Sequence, residues 1–308
     1  MAEHLMDPSI VHHQWDATLP AALTINSGDI VHFDLRMAGH QQIRHGQPFS
    51  TTHLDPATLY HLQGPIHVAG ARAGDTLAID VLELKPGSWG WCGVLPGLGL
   101  LPEFADKPFL RYFDLTAPTT EIAAGVHIPI RPFLGVMATL ERTITNASPF
   151  PPHQGGGNID TRHLVVGSTL RLPVLRDGAI FSCGDPHAAQ GDGEVCVNAL
   201  ETDMTATLRF TLSNRTISAP RFTVPAQPLT ADGTDGHYGT MGIDTDLMEG
   251  ARKATRAMIE ILADEHDLPA EDAYLVCSLA GDLRIFEIVD AGVWNVGMTM
   301  PHSIFSGR

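Results

Sequence analysis

This chain is short of cations. Across 308 residues, 19 Lys and Arg face 35 Asp and Glu, for a net charge of −16 with histidine neutral. Binding to a phosphate backbone draws on clustered Lys and Arg, so nucleic acid is excluded as an expected partner. The same charge disfavours anionic membrane surfaces. No apolar run approaches the ~18–20 residues that a membrane span needs. Cysteine is scarce too: Cys92, Cys183, Cys196 and Cys277 are scattered and form no C-x-x-C pair. That excludes a disulfide framework and predicts reduced, mostly buried thiols. The opening Met1-Ala2-Glu3-His4 has no basic segment running into an apolar stretch, so no secretory leader is expected and the expected location is cytoplasmic. A Walker loop, a Gly-x-Gly-x-x-Gly after a strand and a Gly-x-Ser-x-Gly elbow are all missing.

What the chain does have is 30 glycines, 22 prolines, 16 histidines and a 44% hydrophobic share. That apolar content is too high for disorder, and the length suits one large domain or two fused ones. Glycine and proline punctuate at short spacing, which favours many short strands in a sandwich or barrel over βαβ units. Gly28-Asp29 feeds an alternating Ile30–Leu35, and Gly74-Asp75 feeds Thr76–Val81. Further strands are expected at Thr169–Val174, Ala179–Ser182, Val195–Leu200 and Thr205–Leu212. Near residue 243 the character changes. Asp244 or Thr245 can cap a helix carrying Leu247, Ala251, Ala254, Met258, Ile261 and Leu262 on one face. Pro269 can open a second helix through Ala280, and Leu283–Val289 reads as a late strand. The expected organisation is a mainly β region, 1–242, with an α+β part, 243–308, that completes the same globule.

Residues 86–110 read as an apolar loop rich in Gly and Pro. Trp89, Trp91, Leu95, Leu98 and Phe104 must be buried somewhere, either as a lid on a pocket or in a homodimer interface, and the dimer is the expectation.

The densest chemistry lies in Gly184-Asp185-Pro186-His187-Ala188-Ala189-Gln190-Gly191-Asp192-Gly193-Glu194. This stretch is either a solvated polar turn or a ligand set, since carboxylates mixed with imidazole suit Zn²⁺ and similar cations. Gly155-Gly156-Gly157-Asn158-Ile159-Asp160 is the second such stretch, and a meander between the two would bring Asp160 beside Asp185 and His187. Asp34, His40, His45 and His53 are weaker candidates at a pocket edge. His12-His13 reads as solvated, and Ser182-Cys183 shows no nucleophile motif.

These two stretches, together with Gly167-Ser168, Leu172-Pro173-Val174 and the Gly64–Asp75 run Gly-Pro-Ile-His-Val-Ala-Gly-Ala-Arg-Ala-Gly-Asp, resemble the acetamidase/formamidase family. Ala273-Tyr274-Leu275 and Gly281–Ile285 extend the likeness over nearly the whole chain. The resemblance implies hydrolysis of short linear amides to ammonia and a carboxylate, on a mainly β, jelly-roll-like sandwich with a smaller α+β part. It also implies a divalent metal, zinc in at least some members. Asn158, Asp160, Asp185, His187, Gln190, Asp192 and Glu194 match the motif. We assign Asp160, Asp185 and His187 as metal ligands. Glu194, with Asp192 beside it, is assigned to acid–base catalysis, and Asn158, Gln190 and Trp91 to a small neutral amide. Two positions depart from relatives: Arg36-Met37-Ala38 stands where many carry an acid, and Gly155 where some carry His, with His153 two residues earlier. The rival readings are a non-catalytic amide-binding protein on the same fold and, ranked last, a metal-dependent oxygenase. The oxygenase would need two histidines and one carboxylate.

Overall fold

The computed structural model describes residues 1–47, 49, 54–104, 106–224, 236–287 and 294–305. Two main sheets form a sandwich. One runs, in spatial order, through Glu3–Leu5, Ile30–Leu35, Met204–Ser213, Thr76–Pro86, Thr169–Pro173 and Arg221–Thr223. The other runs through Gly156–Asn158, Phe133–Thr139, Phe181–His187, Leu62–Val68 and Val11–His12, with Leu23–Ile25 pairing in parallel to Leu62–Val68. Alternation sets the interior of the first sheet. Val31, Phe33 and Leu35 point inward while Ile30, His32 and Asp34 do not, as the two-residue period of a strand requires. Leu77, Ile79, Val81, Leu208 and Phe210 extend this face to meet Phe133, Met137, Phe181 and Cys183 of the second sheet. Phe181 and Phe210 touch edge to face across the gap, with centroids 5.0 Å apart. Each such side chain, fully buried, contributes about 1.5–3 kcal/mol relative to exposure.

Phe133–Thr139 and Phe181–His187 are buried on both sides. Their outer face is covered by Trp15, Tyr60 and Leu62, packed with Val136, Ala138 and Leu140. A strand buried on both faces reads as a continuous apolar run instead of an alternation. That is why only its first residues were legible, and why Gly184–His187, expected in a loop, complete the strand.

The C-terminal part is a three-stranded antiparallel sheet, His237–Asp244, Trp294–Pro301 and Asp282–Glu287, with two helices. Helix α1 spans Leu247–His266 and α2 spans Ala270–Ala280. The cap of α1 is Asp246, one or two residues beyond the expected Asp244 or Thr245. Its carboxylate accepts from Met248 N at 2.8 Å and Glu249 N at 3.1 Å, a bond worth about 1 kcal/mol. Pro269 precedes α2 as expected. The late strand ends at Glu287, and its expected last two residues lie outside the described residues. Ala254, Met258 and Tyr274 share one core with Cys92, Val94, Phe113 and Val195. No described helix is long and apolar enough to cross a membrane.

Two expectations change here. The supposed loop at 86–110 contains a β-hairpin, Trp89–Val94 against Phe109–Asp114. Trp91, Leu95 and Leu101 are buried within the chain, while Leu98 stays 47% exposed. Val195–Leu200 is not a strand, because its polar groups are taken by other elements. Val195 O accepts from Leu100 N and the Tyr274 hydroxyl, and the Asn198 amide pairs with Gly93. All four cysteines are free and buried.

The histidines before the sandwich are partly inside it. His12, expected in solvent, is buried and bonds Ser182 Oγ at 2.9 Å. Its other nitrogen bonds Gln14 O, so no carboxylate completes a triad. His13 bonds Tyr60 O at 2.6 Å and meets the His61 ring edge to face. Burial, with His13 and His40 nearby and Asp203 opposing, pushes His61 down from 6.5 to about 4. Burial also lowers His12 and His153. Between pH 6.5 and 4 the unfolded chain therefore binds protons that the folded chain refuses, and stability is lost as pH falls through that window. Melting temperature measured against pH should show a shallower decline in His61→Gln than in the wild type. Equal slopes would remove His61 from this account.

Candidate functional site

The site forms where the second sheet ends. His187 is the last residue of its strand and pairs with Phe133, whose ring edge packs on the imidazole at 5.1 Å. Asp185 precedes it with φ 55°, so the strand twists and turns the carboxylate toward His187. Across Phe133–Thr139, the strand Gly156–Asn158 leads into Asp160, whose φ is 40°. Gly135 O holds that turn by accepting from both Ile159 N and Asp160 N. Gly135 has a second use. A Cβ there would sit 2.5 Å from Asp160 Oδ1, 2.8 Å from His187 Cε1 and 2.9 Å from Asp185 Oδ2. The missing side chain is the space in which the three groups meet.

Two glutamates close the cluster. Glu201 is bridged to Trp91 on one side and His187 on the other. Its Oε1 lies 3.3 Å from His187 Nε2, as does Asp185 Oδ2. Glu194, on the turn after Gly193, brings a fourth carboxylate to the same centre. Ligand atoms of Asp160, Asp185 and His187 lie within 4.8 Å of one another, as do those of His187, Glu194 and Glu201. Glu201 is the residue that the sequence reading missed. No local motif marks it, and only its bridges to two distant strands place it here.

The electrostatics are one-sided. Four carboxylates surround one imidazole, and among the described residues no Lys or Arg lines the cavity above them. Burial pushes Asp160 up to about 7, with His187 pulling the other way and Asp185 adding to the rise. Burial and Asp160 hold Glu194 well above the usual carboxylate range, and burial raises Glu201. Burial works against a charged His187, yet Glu201 and Asp185 hold its proton well above the ordinary value. Asp160 Oδ1, His187 Nε2, Glu201 Oε2 and Asn158 Oδ1 are buried with no hydrogen-bond partner among the described residues. Leaving so many polar atoms unpaired is costly. Convergent unpaired oxygen and imidazole ligands with excess negative charge fit a divalent cation.

Gln190 fixes the imidazole. Its Nε2 donates to Asp160 O at 2.9 Å, so its Oε1 is the atom 3.0 Å from His187 Nδ1 and accepts from it. That leaves Nε2 facing the carboxylates, the arrangement by which outer partners orient a ligating histidine. With each end bonded to the protein, Gln190 orients His187. Asp192 also lies outside the cluster: Arg162 Nε holds its Oδ1 at 3.0 Å, and Arg162 bridges on to Asp282 at 2.8 Å. It ties the loop to the C-terminal sheet, where Leu283 N donates to Asp192 O.

A cavity of about 130 Å³ opens over the cluster. Asn158, Asp185, Glu194 and Glu201 form its polar end, and Tyr60, Trp91, Leu95, Leu98 and Phe150 are among its apolar walls. Of the aromatic walls expected, only Trp91 is in place. Trp89 packs on His45 and Tyr112, and Phe104 on Tyr274. Asp34 pairs with Arg36, and His40 lies 3.6 Å from Asp203. His53 lies outside the described residues. Met37 packs with Ile43 and Trp91. A Cβ on Gly155 would lie 2.0 Å from Thr139 O, so this backbone admits no His there. Asp160, Asp185, Glu194 and Val197 all have positive φ, a clustering of backbone strain that is typical of functional sites.

The acetamidase/formamidase family model matches residues 2–146 and 141–307. An acetamidase of Mycolicibacterium smegmatis is 27% identical over 247 residues, 60% of this chain and 61% of the relative. A formamidase of Methylophilus methylotrophus is 26% identical over 242 residues, 60% of this chain and 59% of the relative. The chain thus spans about three fifths of the length of these relatives. Among solved structures, an acetamidase from Bacillus halodurans superposes with TM-score 0.69 at 29% identity, covering 96% of each chain. A gamma lactamase from Delftia acidovorans superposes with TM-score 0.89 at 23% identity, covering 98% of this chain and 91% of that one, and shares the fold. With the match running through both sheets, both site strands and the C-terminal helices, the chain belongs to the acetamidase/formamidase family.

Proposed function

We propose that the protein hydrolyses short, neutral, linear amides, releasing ammonia and a carboxylate. The observation that carries this reading is the convergence of four carboxylates and one imidazole at the polar end of a small, apolar-walled cavity. An amide is inert without an activated water, help for the carbonyl and a proton for the leaving nitrogen. Asp160, Asp185, His187 and Glu201 would hold a divalent cation, and zinc suits their mix of imidazole and carboxylate. Such a cation, when bound, supplies polarisation of the carbonyl and a lower pKa for water. Glu194 takes the proton of the attacking water and returns it to nitrogen. Its raised proton affinity suits it to that return at neutral pH. Asn158, with its Oδ1 unpaired, is placed to hold the substrate NH₂. Gln190 keeps His187 in the tautomer that faces the carboxylates. Ammonia release across a panel of short amides, with and without prior chelation, tests the reading. No ammonia from any amide by the metal-loaded protein would overturn it.

Trp91 bounds the cavity and is 3% exposed. Its indole leaves room for a compact acyl group, and the apolar walls make an unpaired charge costly. Trp91→Ala should therefore raise activity on propionamide and butyramide relative to formamide. An unchanged ranking would remove Trp91 from the control of substrate size.

A further inference from the structure

A second, larger cavity of about 570 Å³ lies against the outer side of the same loop. Its volume is in the range of small-molecule sites. Helix α1 supplies Leu247 and Met248 from its first turn and Arg252 from its second, and the edge strand Asp282–Glu287 supplies Leu283, Arg284 and Ile285. Met248 is 51% exposed and Ile285 56%, so apolar surface faces solvent with no cover from the described residues. Grouped apolar exposure of this kind marks a binding surface. Two residues, Glu194 and Val197, line both this groove and the site cavity. Both have positive φ, 43° and 73°. For β-branched Val197 that is a marked departure from preferred backbone. The strained segment is thus the shared wall of the two spaces.

We infer that the groove is an extension of the substrate site that receives the apolar N-substituent of a secondary amide. The inference rests on the hydrolytic reading above and adds a substrate class to it. Glu194 and Val197 line both spaces, so a substrate nitrogen seated against Glu194 at the polar end of the site cavity faces the groove. An alkyl group on it then runs past Glu194 and Val197 into the groove, while the acyl group stays under Trp91. The chemistry balances. Water oxygen bonds the carbonyl carbon, and the C–N bond breaks with its electron pair on nitrogen. A proton given up by that water completes the amine, so one secondary amide and one water give one carboxylic acid and one primary amine.

The test compares acetamide, N-methylacetamide and N-butylacetamide, following amine release, in the wild type, Met248→Glu and Ile285→Asp. Both substitutions fall on exposed side chains, so the fold should survive. In the wild type, kcat/KM should rise from the N-methyl to the N-butyl amide, by up to about fourfold for each methylene fully buried. In both variants the ratio of N-butylacetamide to acetamide should fall at least tenfold. A wild type that cleaves acetamide but cleaves N-butylacetamide more slowly than N-methylacetamide would overturn the inference, as would identical ratios in all three proteins. So would a dimer that both variants dissociate while the ratios hold, which would make the face a contact between copies. Calorimetric titration with N-butylacetamide separates the two readings. Met248-dependent binding without hydrolysis of any amide would sink the hydrolytic reading and keep the groove. Hydrolysis of acetamide without such binding would do the reverse.

Discussion

Glu194→Gln should lower kcat on the best amide by about 10²–10⁴, the usual worth of a positioned general base, with melting temperature and metal content preserved. The substitution is gentle because of where Glu194 sits. Burial and Asp160 raise the proton affinity of its carboxyl, and the amide of glutamine keeps its size and a polar end in the same position. Volume and hydrogen bonding survive, and only the capacity to accept a proton from water is lost. Asp192→Asn is the informative contrast. Asp192 is two residues earlier but is held by Arg162 at 3.0 Å, so turnover should change little and the main effect should be on the tie to the C-terminal sheet. Wild-type turnover by Glu194→Gln would move the base to another carboxylate of the cluster.

His187→Ala should abolish stoichiometric divalent metal binding, read by elemental analysis beside the wild type, and turnover with it. His187 is fully buried and contributes the single imidazole among four carboxylates. Removing it deletes a ligand and strips the cluster of its one group able to carry positive charge. Breaking a buried charged pair in this way costs about 3–5 kcal/mol, so a lower melting temperature is expected as well. Because a destabilised variant can lose metal by unfolding, Glu201→Gln serves as the second arm. It keeps the shape, removes one ligand charge, and should weaken metal retention against a chelator while the fold is intact. Unchanged metal content in both variants would remove these residues from the metal site.

Sequence periodicity and punctuation marked the parts of the scaffold that have one buried face. Ile30–Leu35 alternates because one face meets the core, and α1 carries its apolar residues at three- and four-residue spacing because one side packs on the C-terminal sheet. The two Gly-rich stretches were legible for a similar reason. Glycine beside Asn, Asp and His states locally that backbone turns tightly where polar groups gather. Residues such as Phe133–Thr139, buried on both faces, had no period to betray them.

The chain by itself therefore determined the elements with a clear local signature and the chemical character of the site: carboxylates with one imidazole, on turns, in an acidic protein with little cationic surface. Tertiary structure alone decided which carboxylates belong. Asp192 and Glu194 look equivalent on paper, yet Gly193 at φ 101° and Glu194 at φ 43° turn one toward Arg162 and the other toward Asp160. Glu201 carries no local mark and joins because its backbone pairs with Trp91. Gly135 matters because it lacks a Cβ at the point where three side chains meet. A side chain's partners follow from long-range register and from the backbone dihedrals of its neighbours. Neither is a property of the few residues around it, so membership of the site had to wait for the fold.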